Sequence, residues 1–252
     1  LIGFDRISHN PCWIVPLLLL LAVAPPVATA ATARLKLKYA RSTRPPKDAD
    51  HSNIVVWLSP LSDPALGEAE RALHLLPRHY HLLQKKKQFT PHLQIIPAGS
   101  VVDFPNQDPF FHNVFSLFDG RRFDLGLYEA GATRSVHFDR PGVSFIFCNI
   151  HPQMSALLIV LKTPYFGISD RTGDIVISNV PPGRYRLAVW SERSSPETLQ
   201  ALTREITISE EKDFSGSMAV EESGDLLAGH KNKYGRDYEP VAPEIPGYHQ
   251  PD

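Results

Sequence analysis

Cysteine is nearly absent from this chain. Two occur in 252 residues, Cys12 and Cys148, and Cys12 falls in an N-terminal segment read below as removable. The remaining chain then holds one thiol and has no internal disulfide. An excess of either charge is lacking too: 26 Lys and Arg oppose 27 Asp and Glu, for a formal net charge of −1 and a pI of about 6.9. That balance gives no reason to expect a nucleic-acid or anionic-membrane partner. Helical periodicity is sparse, and the compact apolar run at 12–23 falls short of the roughly 20 residues of a membrane-spanning helix. Aliphatic and aromatic runs punctuated by 23 prolines point instead to an all-β chain, long enough for one large or two small domains.

The N-terminal run 12–23 is closed by Pro25 and Pro26 and followed by small residues at 27–33. This is the pattern of a secretory signal peptide with an A-x-A cleavage site after Ala30 or Ala33. It predicts a periplasmic protein with no stable membrane span in the mature chain. A lone thiol is a liability in an oxidising compartment. Metal ligation would protect Cys148 and give its thiolate a purpose.

The residues around Cys148 supply that purpose. Cys148-Asn149-Ile150-His151-Pro152-Gln153-Met154 places a thiolate, an imidazole and a thioether just after the apolar run 143–147. His112 lies 36 residues upstream, a separation of two or three strands, so a neighbouring loop brings it to the same end of a sandwich. Two histidines, one cysteine and a weak axial methionine form the trigonal set that selects copper for electron transfer. Zinc fits poorly, because it prefers four strong nitrogen, sulfur or oxygen ligands and a thioether is not one.

The remaining pattern is read as strands. Residues 34–40 alternate apolar and charged, 41–53 form a polar proline-rich loop, and 54–58 are apolar on both faces. Helical spacing of Leu66, Ala69, Leu73 and Leu76 predicts a helix over 64–76, ended by Pro77. Strands are expected at 92–96, 101–104, 113–118, 134–138, 143–148 and 157–162, with Gly- and Pro-bearing turns between them. Both faces of 143–148 are apolar, so something should cover the outer one. A second β-rich unit follows: a turn at Asp170 to Gly173, strands at 174–179 and 185–190 joined through Val180-Pro181-Pro182-Gly183, and an edge strand at 205–209. Beyond 210 the chain is polar and charged and is expected to be disordered.

At Phe104-Pro105-Asn106-Gln107-Asp108, His112-Asn113-Val114, 123–128 and the Cys148 to Met154 loop, the chain resembles the cupredoxins of the plastocyanin and amicyanin type. It looks closest to the plastocyanin-like proteins of the methylamine utilization kind. The resemblance implies a Greek-key β-sandwich holding one type 1 copper ion. His112, Cys148 and His151 would be equatorial ligands and Met154 the axial one. Asn113 would tie the two ligand loops together by hydrogen bonds, and His151 would be the electron exit, with Phe111 and Pro152 beside it. The second unit is similar to the small carboxypeptidase regulatory-like β-sandwich, through Asp170, Gly173, Val180 to Gly183, Tyr185 and Trp190. The divisions are then 1–33 signal peptide, 34–83 N-terminal strands and short helix, 84–163 copper domain, 164–209 second β unit and 210–252 tail. Residues 34–58 are expected to pair with 175–190, so that the copper domain is inserted into the other sandwich.

The functional expectation is an exported electron carrier rather than an enzyme, with a cytochrome c or a periplasmic dehydrogenase as redox partner. A copper buffer or delivery protein is the alternative, favoured by an open site. An oxidase is disfavoured, since His79-Tyr80-His81 is the only His-x-His and Phe147 and Asn149 flank the cysteine. His74, His79 and His81 read as a solvated face, and His92 and His137 as structural. Asp108 and Asp124 form no catalytic dyad.

Overall fold

A computed structural model describes residues 30–40, 49–117, 120–224 and 229–238. Residues 1–29 of the expected signal segment 1–33 lie outside the described residues. The described residues are all-β apart from two helices. In order it forms β1 (Ala31–Ala40), β2 (Val55–Pro60), α1 (Asp63–Leu75), β3 (His79–His81), β4 (Leu83–Lys85) and β5 (Gln88–Thr90). Then come β6 (Leu93–Pro97), β7 (Ser100–Pro105), β8 (His112–Ser116), β9 (Phe123–Tyr128), β10 (Thr133–Phe138), β11 (Gly142–Phe147) and β12 (Ser155–Leu161). The last group is β13 (Phe166–Ile168), β14 (Asp174–Val180), β15 (Gly183–Trp190), α2 (Pro196–Ala201), β16 (Arg204–Ile208) and β17 (Phe214–Glu221). No helix among the described residues is long and apolar enough to cross a membrane.

The alternation of β1 becomes its burial: Ala31, Ala33, Leu35, Leu37 and Tyr39 are buried on one face, as a period of two dictates. β1 pairs antiparallel with β14 and parallel with β17. β2 pairs antiparallel with β15, setting Leu58 opposite Leu187 and Val55 opposite Trp190. Strands on either side of the 79–162 segment are therefore hydrogen-bonded to one another, and the expected pairing of 34–58 with 175–190 is observed.

The inserted segment builds two main sheets, ordered β6-β12-β11-β8-β9 and β10-β7-β3, and a small β4-β5 hairpin. Val114, Ile146, Leu158 and Val160 from the larger sheet meet Val102, Phe104, Val136 and Phe138 from the smaller one, and Cys148 and Met154 belong to this core. The larger sheet buries its opposite face as well. Ile95, Phe115, Phe147, Leu157, Ile159 and Leu161 pack into the core built on β1, β2, β14 and β15, and the Phe145 and Trp190 rings lie 6.5 Å apart. The second β unit is thus the cover that the two apolar faces of 143–148 require. Each large side chain buried there contributes about 1.5–3 kcal/mol, so the two units stabilise each other.

Three expectations are corrected. The N-terminal segment cannot extend to residue 33 as a separate piece, because Ala31 and Ala33 are buried in β1 and paired with β14. The tail from 210 is not wholly disordered: β17 runs parallel to β1 and buries Met218 and Val220. Two apolar residues suffice there because β1 offers a ready row of unpaired backbone groups. Residues 229–238 are folded as well, while 225–228 and 239–252 lie outside the described residues. Finally, His112 opens strand β8 rather than sitting in a loop.

Candidate metal centre

β11 ends at Phe147, and the chain turns at once. The Met154 amide donates to the His151 carbonyl at 3.0 Å, and the Cys148 amide donates to the Met154 carbonyl at 3.2 Å. This closed turn projects Cys148, His151 and Met154 from one short loop. β8 lies beside it, with Phe115 paired to Phe147, so the strand that His112 opens runs antiparallel past the cysteine. Backbone pairing therefore performs the meeting that spacing alone made plausible.

Cys148 Sγ lies 3.7 Å from His112 Nδ1 and 3.6 Å from His151 Nδ1, and the two Nδ1 atoms are 3.1 Å apart. A triangle with these sides has its centre about 2 Å from each corner, close to the length of a metal–imidazole bond and somewhat short of a metal–thiolate bond. Among the described residues this is the one group of three or more Cys, His, Asp or Glu side chains gathered closely enough to hold a metal ion. His112, Cys148 and Met154 are buried, and His151 is half-buried. One neutral soft sulfur, one thiol and two imidazoles, largely removed from water, fit copper by donor chemistry.

The protonation states suit the same role. Burial pushes the Cys148 thiol up, and the backbone N–H groups of Asn113, Ile150 and His151 pull it only partly back. A bound cation would favour the thiolate over the thiol. Burial, then the nearby His112 and Lys87, lower the His151 pKa to about 4, which leaves its lone pair free near neutrality.

Asp108 is the residue that the sequence reading missed. Its Oδ2 accepts from His112 Nε2 at 2.9 Å, which turns His112 Nδ1 toward the cluster. The carboxylate is itself held by the Lys86 amide at 2.5 Å and the Lys87 amide at 2.8 Å. Burial opposes ionisation of Asp108, but the Lys87 amide, His112 and the Lys86 amide outweigh it and lower the pKa. The i,i+4 spacing to His112 was visible, yet nothing in a Pro-bounded loop revealed that the side chain turns inward. Phe110 packs against both imidazoles, with centroids 5.2 and 5.6 Å away.

Asn113 reaches both the cysteine and a neighbouring strand. Its backbone N–H faces the Cys148 sulfur, while its side chain donates to Asp124 Oδ1 on β9 at 2.7 Å. The link between ligand segments is thus made by main chain, and the side chain braces a neighbouring strand. Phe111 and Ile150 are exposed, each next to a cluster histidine in the chain. His79 and His81 stand elsewhere, exposed on β3, 3.7 and 3.6 Å from Asp103. His92 bonds Glu192 at 2.8 Å, and His137 is exposed on β10.

No protein-family model matches the chain, and no curated protein sequence does. Solved structures match part of it. The copper-containing nitrite reductase of Thermus scotoductus SA-01 is 24% identical over 34% of this chain, with a TM-score of 0.32; the match spans 23% of the reductase. A purple cupredoxin from Nitrosopumilus maritimus is 22% identical over 32% of this chain and 99% of its own length, with a TM-score of 0.30. Amicyanin from Paracoccus versutus is 22% identical over 35% of this chain and 88% of its own, with a TM-score of 0.29.

Proposed function

We propose that the chain is an exported cupredoxin-type copper protein that carries single electrons between periplasmic redox partners. The observation that supports this most directly is the triangle of His112 Nδ1, Cys148 Sγ and His151 Nδ1. Met154 is buried in the same core as Cys148, where its thioether would serve as a further soft donor to a bound copper ion. A copper ion bound by these residues supplies one-electron chemistry through its cuprous and cupric states.

The chain's own residues do the rest. Asp108 fixes the tautomer and the orientation of His112. The backbone bonds closing the 148–154 turn limit rearrangement when charge changes. Burial of Cys148 keeps water and oxidants from the thiol. His151, the least buried member of the triangle, is the exit for electrons. Exposed Phe111 and Ile150 offer apolar surface for a partner such as a cytochrome c or a dehydrogenase. A buffer or delivery protein is expected to present open ligands, and the burial of three of the four side chains disfavours that reading.

Loading the purified chain with cupric ion tests the proposal. An intense visible thiolate-to-copper band, absent in Cys148→Ser, is the expected result. A colourless loaded protein, or a spectrum unchanged by that substitution, overturns it.

A further inference from the structure

The folded part of the tail meets the metal loop. The Tyr238 hydroxyl donates to the Cys148 carbonyl at 3.0 Å. The Lys233 amide donates to Asn149 Oδ1 at 3.0 Å. The Lys233 ammonium lies 2.8 Å from Asp124 Oδ2, and the other oxygen of that carboxylate holds the Asn113 side chain. The His230 ring stacks on Phe147, with centroids 4.0 Å apart and planes 17° from parallel. One segment therefore touches Cys148, both of its chain neighbours and, through Asp124, the residue after His112.

The segment is built to hold this shape. The Asn232 amide donates to the Arg236 carbonyl at 2.8 Å, and the Gly235 amide returns to the Asn232 carbonyl at 2.9 Å. Asn232 Oδ1 accepts from the amides of Tyr234 and Arg236. Lys231 pairs with Asp237, and His230 Nε2 lies 3.1 Å from the Tyr238 hydroxyl. Gly235, at φ +74°, supplies the left-handed backbone that closes the turn.

We propose that residues 229–238 form a strap that positions the Cys148 loop, with His230, Lys233 and Tyr238 as positioning residues for the thiolate. The strap pins the ligand turn at the Cys148 carbonyl and the Asn149 side chain, and it lays the His230 ring over Phe147. The Cys148 sulfur is then kept in place before any metal arrives, and its access to small molecules is limited. The spectroscopic arm of the test rests on the copper reading, whereas the thiol arm does not.

The test uses the full chain with Tyr238→Phe, Lys233→Met and the double variant. Without metal, Cys148 alkylation by iodoacetamide is followed by peptide mass, which separates it from Cys12. Loss of the Tyr238 bond to the Cys148 carbonyl, or of the Lys233 ammonium pair with Asp124 that anchors the strap, is expected to raise the rate about five- to tenfold, with the double variant faster than either single one. After cupric loading, the same variants are expected to shift the reduction potential and the thiolate-to-copper band, while Val176→Ala at an exposed position on β14 changes neither. Parental alkylation rates in all three variants overturn the strap, whatever copper does. A chain that takes up no copper, yet shows faster alkylation in the variants, supports the strap and overturns the copper reading. Should the double variant fail to fold, Tyr238→Phe, which removes a single oxygen atom, decides the matter.

Discussion

At the scale of single residues, the argument turns on hydrogen bonds that orient imidazoles. Asp108 does this for His112, and Asp108→Asn keeps the shape while removing the charge that favours the correct tautomer. Copper affinity measured against a competing chelator is expected to fall by about 10- to 100-fold, as is usual when such an outer partner is lost. His51 gives a separate pH effect far from the cluster. Its Nδ1 accepts the Tyr39 amide at 3.0 Å, so the folded chain needs the ring neutral there. Burial first, then Lys38 and Arg193, lower its pKa below 6.5. The unfolded chain therefore takes up a proton below about pH 6.5 that the native chain resists. Stability is full above that value and falls as the pH drops toward the lowered one. Melting temperatures measured between about pH 7 and pH 5 are expected to fall, and His51→Gln, which does not titrate, is expected to flatten that slope. His112 was legible, but its partner Asp108 and the pairing of His51 with the Tyr39 amide were not. A side chain's direction depends on the fold around it.

At the scale of elements, alternation and turn chemistry carried most of the strands. Leu35, Leu37 and Tyr39 announced β1, and Ile175, Ile177 and Val180 face it from β14. The turn before β14 has a strict requirement. Gly173 has φ +87°, and a Cβ placed there would sit 1.8 Å from the Leu37 carbonyl oxygen. That glycine carbonyl also accepts the Leu37 amide at 2.8 Å. Gly173→Ala is expected to cost about 2–4 kcal/mol in chemical denaturation, through both the left-handed backbone and the clash. β9 escaped notice because Gly126 interrupts its alternation and most of its residues stay partly exposed. β17 escaped because its sequence is polar, with only Met218 and Val220 fully inside.

At the scale of the whole molecule, the five-stranded sheet is shared. Its inner face holds Cys148, and its outer face packs on the core that contains Trp190. The two units should therefore unfold together rather than in sequence. Trp57 and Trp190 report the second unit by fluorescence, and the thiolate-to-copper band reports the metal loop. Their thermal midpoints are expected to coincide, the mark of a single cooperative transition. Two separated midpoints would show that the shared sheet does not couple the units. The parallel pairing of β17 with β1 extends this coupling to a segment that composition alone would leave outside the fold.

The Cys148 to Met154 donors, the strand alternation and the need for a cover over 143–148 are legible in the residues alone, because donor chemistry and a period of two are local properties. Only the tertiary structure decided that Asp108 faces His112, that β1 and β2 close around an inserted sandwich, and that the polar tail folds back onto the metal loop. Those outcomes depend on which distant groups are left unpaired nearby. The β1 edge, the Cys148 carbonyl that Tyr238 bonds and the Phe147 ring that His230 stacks on come into place only once the chain has folded.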